Sequence, residues 1–415
     1  MAKGTIGFDW ITILIYLLLI SFGWMNIYSA SLGDAPSGIF DFDQIYGKQA
    51  LWILLGLFMI VIILSIEAKF YMKFSSVFYI ISIISILGLF AFGKTINGAT
   101  SWYVFGGVSI QPAEFAKVGT TLALANYLGD IQTNIKLFSH QLKAFFIIAL
   151  PALIILPQPD AGSAMVYAAF LFPLYREGLS GIYLFLGFAG ITVFILTLVI
   201  GPLYVAIAVV IISLLSLLQK KRRRPKPIVI LAVIIGAITL SYSVDYIFQN
   251  VFEQRHRDRF NIVLGKEVDA RGIGYNTNQS EIAIGSGGWL GKGWTEGTQT
   301  KGQFVPEQHT DYIFSTVGEE WGFLGTSLVV ILFMGLLFRL LYLAERQKST
   351  FHRVYGYSLV GIMFIHFLVN IGMVTGIFPT VGIPLPFFSY GGSGLWGFTI
   401  LLFIFIKLDS ERMAF

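Results

Sequence analysis

The chain has 415 residues, 56% of them hydrophobic and 12% charged, with mean hydropathy +0.76, no cysteine and a formal net charge of +5. A soluble globular chain carries roughly 25% charged residues, so a soluble enzyme is excluded, and without cysteine there is no disulfide, thiolate nucleophile or thiolate-bound metal. The positive balance does not indicate nucleic acid, because no basic, aromatic-rich domain stands outside the apolar blocks; basic loops on the cytoplasmic side of a membrane explain it.

The apolar blocks run to about 16 to 24 residues, and roughly 20 cross a ~30 Å hydrocarbon core. They do not alternate, which excludes a transmembrane barrel. The predicted fold is an all-α, polytopic helical bundle of twelve spans: 10–30, 48–66, 74–92, 111–129, 143–157, 161–175, 181–200, 203–218, 227–248, 312–342, 354–376 and 392–407. Asp9 precedes the first block and no small-residue cleavage site follows it, so it reads as a retained span. Lys and Arg concentrate in the loops that face the cytoplasm when both termini do.

In chain order, the first polar interruption is "NGATSWYVFGGVSIQPAEFAKVG", 97–119. Gln111-Pro112 opens a helix, and Glu114 and Lys117 follow on one face inside an apolar span. Charges at that depth are costly and are paired or line a polar cavity. This pair reads either as a cavity wall that meets a charged substrate or as a structural ion pair. Next, "LPQPDAGSA", 156–164, places Asp160 where it caps a helix or holds a cation or a substrate hydroxyl. Gly201-Pro202 breaks an apolar run too long for one crossing. The following 203–248 reads as a pair of spans around the basic "KKRRRPK", an anchor on an anionic leaflet.

The segment 249–311 is a long, charged, glycine-rich extracytoplasmic loop, and a loop of that length is functional or disordered. Its interleaved Ile, Trp and Tyr argue for structure. "NQSEIAIGSGG" suits a short interfacial helix, with Gln279, Ile282 and Ala283 on one face. "VPEQHTDYIF", 305–314, crowds Glu307, His309 and Asp311 against the next apolar run. Asp311 suits a helix cap or a general base whose pKa is raised by shielding. His309 is either a proton carrier or incidental, and Glu319 and Glu320 shape the local field. Last, "GIFPTVGIPLPFFSYGGSG", 376–394, is irregular backbone of the kind tolerated at membrane depth when it lines water or is buried in protein. Ser389, Gly391 and Gly392 are expected to leave N–H groups free for an anion such as diphosphate.

These runs resemble the SEDS family (shape, elongation, division and sporulation) of membrane proteins. The resemblance rests on "NGATSWYVFGG…QPAEFAK", "QPDAGSA", "GYNTNQSEIAIGSGGWLGKGW…GTQ…FVPEQHTDYIFSTVGEEWGFLG" and "NIGMVTGIFPTVGIPLPFFSYGGSG", in family order from 97 to 394. The "GKGW…GTQ" run favours the rod-shape branch. The family usually has Ser at 113 and Leu at 161, where this chain has Ala. It has ten spans, so 203–248 is an inserted pair that preserves parity.

The resemblance implies a peptidoglycan glycosyltransferase that polymerises lipid II at the outer face of the cytoplasmic membrane for elongation and rod shape. Asp311 is then the essential acid and general base, Glu114 and Lys117 are the family's intramembrane pair, and undecaprenyl diphosphate is the leaving group. Trp102, Gln111, Asp160, Gln279, Gln299, Glu307, His309, Ser389, Gly391 and Gly392 join them around the substrate. Arg257, Arg259 and Lys292 are candidates to meet the diphosphate charge. A divalent cation, Mg or Mn, shared between Asp160 and the diphosphate is expected, with no organic cofactor. The expected partners are lipid II, undecaprenyl-diphosphate-linked glycan, a class B penicillin-binding protein and membrane lipids. The alternatives are a lipid II flippase and a non-catalytic scaffold for the transpeptidase.

Overall fold

The computed structural model describes residues 7–32, 41–96, 98–216, 226–250, 252, 254–265 and 274–412. The basic run 220–226, apart from Lys226, lies outside them. The chain divides into two compact units, Met1–Leu179 with Asn276–Phe415, and Ser180–Tyr275.

The larger unit opens with α1 (Trp10–Ala30), α2 (Ile45–Ser65), α3 (Ala68–Lys73) and α4 (Ser75–Phe92). Asp9 caps α1 by accepting from the Thr12 amide at 3.0 Å and also pairs with Arg339. A three-stranded antiparallel sheet follows: β1 (Lys94–Ile96), β2 (Ala99–Phe105) and β3 (Val108–Ile110). Aromatic and β-branched residues flanking Gly106-Gly107 form its β2–β3 hairpin, with Phe105 opposite Val108. The span reading missed this sheet, because its strands are only three to seven residues long and lie between the predicted spans 74–92 and 111–129, where a search for membrane-length apolar runs does not register them.

Then come α5 (Pro112–Gly129), α6 (Phe138–Ile155), α7 (Ala161–Met165) and, after a 3-10 turn at Val166–Phe170, α8 (Leu171–Arg176). The predicted 161–175 span is therefore a broken helix. The smaller unit holds α9 (Ile182–Ile200), α10 (Pro202–Ser216), α11 (Pro227–Asn250) and α12 (Gln254–Val263). Its own core is Leu198, Val244 and Phe248, packed by Phe194, Phe252, Phe260 and Leu264. This unit is wider than the inserted pair 203–248. It also divides the predicted loop 249–311 at Tyr275.

The larger unit resumes with α13 (Tyr275–Ser286), α14 (Thr298–Lys301), α15 (Ile313–Glu345), α16 (Thr350–Val374) and α17 (Gly392–Ser410). A helix, α13, covers most of "NQSEIAIGSGG", where a short helix was expected. Buried α5, α16 and α17 form the middle of this unit. At the ends of α8, α15, α16 and α17 away from Asp311, carboxylates and arginines pair in bidentate fashion: Arg353 with Glu177 at 2.6 and 2.8 Å, Arg176 with Glu345 at 3.0 and 2.7 Å, and Arg346 with Asp409.

Helices lie under all twelve predicted spans, and among the described residues nine are long and apolar enough to cross a membrane. The other three have separate reasons. The α5 helix buries Glu114, Lys117, Thr120 and Thr121; the α7–α8 segment is broken; α10 has only 15 residues. The chain is a multi-pass, all-α membrane protein.

Candidate active site

Three long helices begin at one place. The α5 cap residue Gln111 donates its amide to Ser393 in the first turn of α17 at 3.0 Å, and the Tyr390 amide, just before α17, donates to the His309 carbonyl at 2.9 Å, just before α15. Helix N-termini carry a partial positive charge of about half a unit each. Their convergence favours a negatively charged ligand.

Asp311 stands at this junction, two residues before α15. The turn that presents it is tight: the Thr310 and Tyr312 amides both donate to the Glu307 carbonyl, at 3.0 and 3.2 Å. Glu307 takes left-handed backbone to do so (φ +55°). Its carboxylate is exposed and accepts from Thr310 at 2.8 Å. Beneath the turn, Gln308 is buried and donates to the Ala30 and Thr300 carbonyls at 2.7 and 3.0 Å.

The Asp311 carboxyl is half-buried. Burial, then the charges of Glu307 and Asp160, push its pKa up to about 7. Among the described residues no hydrogen bond to its side chain offsets this rise. A carboxylate with open lone pairs and a pKa near neutrality has the properties of a general base. His309 is half-buried, and burial holds it below the usual histidine value. It is therefore neutral near pH 7 and packs edge-on to Tyr390 at 5.6 Å.

Asp160 is a cap. It accepts from Ser163 N at 3.0 Å, Ser163 Oγ at 2.9 Å and Gln111 Nε2 at 2.9 Å. It therefore ties α7 to α5 while its charge reaches Asp311. As to the cation expected at Asp160, among the described residues no three acidic or histidine side chains converge as a ligand set, and the Asp160 oxygens already accept three hydrogen bonds. The residues present do not make a cation cage.

The Glu114–Lys117 pair is buried, with both carboxylate oxygens 2.8 Å from Nζ. Lys117 also meets His366 Nε2 at 2.9 Å and lies 4.8 Å over the Phe398 ring. An ammonium only donates, so Nε2 accepts and the imidazole proton sits on Nδ1, which donates to the Pro384 carbonyl at 3.1 Å. One turn along α16, Asn370 donates to the Ile383 carbonyl at 2.7 Å and to the Asp311 carbonyl at 2.8 Å. His366 and Asn370 were not singled out from sequence. The rule that exposed Glu114 and Lys117, polar groups within apolar spans, also applies to them.

The irregular 376–391 backbone corrects one expectation. Two of the three N–H groups expected to be left for an anion are engaged: Ser389 N donates to the Leu385 carbonyl at 3.0 Å and Gly391 N to Gln49 Oε1 at 3.1 Å. Ser389 Oγ accepts from Leu385 N at 2.8 Å, and Gly392 packs on the Trp52 ring. The loop closes on itself and lies under Asp311. A Cβ at Gly382 would stand 3.3 Å from Asp311 Oδ2, so glycine permits that approach.

Lys292 has a partner already. It donates to Glu319 at 2.7 Å and to Thr298 at 2.8 Å. Glu319, fully buried, also accepts from the Gln299 and Thr300 amides at 2.8 Å each, so it caps α14 and fastens the "GTQ" segment. Glu320 is held by Ser29 of α1. Trp102 is half-buried on β2, opposite Lys94, and Gln279 is half-buried on α13. Arg257 and Arg259 belong to the smaller unit, where Arg257 binds the Gln249 carbonyl and Gln254 Oε1 at 2.7 Å each.

The sequence matches the FtsW/RodA/SpoVE family model, described as "Cell cycle protein", over residues 9–224 and 182–414. Peptidoglycan glycosyltransferase RodA of Treponema pallidum is 31% identical over 99% of both chains. Peptidoglycan glycosyltransferase MrdB of Escherichia coli K12 is 33% identical over 92% of this chain and 88% of that one. Among solved structures, a chain of a peptidoglycan synthase complex described as coordinating polymerization and crosslinking matches with TM-score 0.69, at 23% identity over 98% of both chains. An aspartate-to-alanine mutant of the rod shape determining protein RodA of Thermus thermophilus gives 0.63 at 22% identity, also over 98% of both. The chain belongs to the FtsW/RodA/SpoVE family.

Proposed function

We propose that this protein is a peptidoglycan glycosyltransferase of the elongation type and that Asp311 is its general base. The observation that carries the assignment is the carboxyl itself: half-buried, free of hydrogen bonds among the described residues, held near pKa 7 and set where three helix N-termini meet. The family and its glycosyltransferase relatives supply the reaction class.

In this reading Asp311 takes the proton of the GlcNAc 4-hydroxyl of an acceptor lipid II. That oxygen attacks C1 of the MurNAc at the reducing end of the growing strand. The bond from C1 to the diphosphate oxygen breaks, undecaprenyl diphosphate leaves, and C1 inverts to a β-1,4 link. The diphosphate lies toward the N-termini of α5, α15 and α17, whose dipoles stabilise it. It brings a divalent counter-ion with it, since the residues around Asp160 do not form a cage. The site faces the outer side of the cytoplasmic membrane, with both termini inside. The transpeptidase partner is a class B penicillin-binding protein.

The buried Glu114–Lys117–His366 group equally suits the path of a lipid II flippase. Purified protein in detergent micelles separates the two, because no bilayer divides the compartments. The enzyme converts lipid II to glycan there; a flippase or scaffold leaves lipid II unchanged.

A further inference from the structure

We propose that His366 is a positioning residue through which the Glu114–Lys117 pair holds the backbone beneath Asp311 in place. The inference rests on the reading of Asp311 as the base.

The segment below Asp311 contains Pro379, Pro384 and Pro386. Prolines lack the N–H that would tie such backbone to itself, so side chains must fix it. Two residues one turn apart on α16 share a face and do so. Asn370 holds the Ile383 carbonyl and His366 the next one, Pro384. Gly382 comes immediately before them, against the Asp311 carboxylate. The second N–H of Asn370 holds the Asp311 carbonyl. The base and the floor beneath it are thus fixed from one helix.

The His366 grip requires the Nδ1–H tautomer, and Lys117 enforces it by donating to Nε2 at 2.9 Å. The Phe398 ring meets the imidazole edge-on at 4.7 Å and stops it from swinging sideways. Glu114, with both oxygens on Lys117, fixes the ammonium in turn. The chain Glu114, Lys117, His366, Pro384 carries the position of α5 to the catalytic loop. A catalytic group must be held within about 0.5 Å, and a 1 Å displacement can cost about 10²-fold in rate.

The test compares three substitutions by lipid II polymerisation per folded molecule. His366→Asn places an amide nitrogen near the Nδ1 position, so it keeps the donor to Pro384 and loses Lys117. His366→Gln reaches the Nε2 position, so it keeps Lys117 and loses Pro384. His366→Ala loses both. The expected result is a turnover lowered roughly 10- to 100-fold in the Ala and Gln variants at an unchanged Michaelis constant, with the Asn variant between them and wild type, because it keeps the grip on Pro384 but not the link to Lys117; an Asn variant equal to wild type would show that the pair does not act through this residue. The role is overturned if the Ala variant turns over like wild type, if Gln rescues better than Asn, or if only the folded fraction falls. Should the Ala variant not fold, the order of Gln and Asn decides. An active Asp311→Asn variant would defeat the base reading instead, whatever the order at His366.

Discussion

At the scale of single residues, Asp311 predicts a pH dependence. Burial, and then the charges of Glu307 and Asp160, together raise its pKa to about 7. A base works when deprotonated, so kcat/KM should climb with pH through about 7 and level off above, falling tenfold per unit below. Glu307→Gln removes one neighbouring charge, so the acid limb should move to lower pH. A limb that stays in place would show that Asp311 does not set it. The same shift has a sign for stability. The folded pKa lies above the ordinary 3.8, so the folded state binds this proton more tightly than the unfolded chain. The contribution of Asp311 to stability therefore falls as pH rises from about 4 to about 7. Asp311 stood out in the sequence as a charged residue in an apolar chain, as did Glu114 and Lys117. His366 and Asn370 are less conspicuous, being uncharged, yet they hold the floor of the site. Lys292 was visible as a charge, but its partner Glu319 lies 27 positions on and is brought near only by folding.

At the scale of elements, α15 is two helices joined at Gly322, whose φ of +62° interrupts the helical backbone. The 287–293 loop enters the break. Phe323 N donates to the Gly288 carbonyl at 2.9 Å, while the Lys292 and Gly293 amides donate to the Glu319 and Glu320 carbonyls at 3.0 Å each. An uninterrupted span over 312–342 reads correctly as apolar, but periodicity does not report one left-handed residue. Gly322→Ala combines that backbone with a Cβ driven against Gly291 and Trp289. Strain of this kind costs about 1–3 kcal/mol, so thermal stability should fall and cleavage within 287–301 should rise in limited proteolysis. Unchanged stability would mean that the break is incidental. The intramembrane pair supplies another test at this scale. Leaving one partner of a buried pair uncompensated costs about 3–5 kcal/mol. Glu114→Gln and Lys117→Met should each lower stability, with the double variant milder than their sum; strict additivity would argue against direct coupling.

At the scale of the whole molecule, the alternation of apolar blocks located the helices, and four motifs placed the site residues at the ends of them. Composition could not show that α9 to α12 form a unit with its own core, because lipid-facing and protein-facing leucines look alike in sequence. Topology is open to direct test, since the chain has no native cysteine. Cysteine introduced at exposed Lys301 should react with an impermeant thiol reagent in intact cells, and at exposed Lys348 only after lysis; the reverse pattern would put Asp311 on the wrong side for lipid-linked glycan synthesis. The central claim is chemical, and one rate decides it: polymerisation of lipid II by purified Asp311→Asn protein in detergent. The substitution keeps the size of the side chain but removes the proton acceptor, and general-base help is typically worth about 10²–10⁴-fold. The account predicts a folded protein, no less stable than wild type at pH 8, that still binds lipid II and makes glycan at least about 100-fold more slowly. A folded Asp311→Asn variant that polymerises lipid II at the wild-type rate would contradict it.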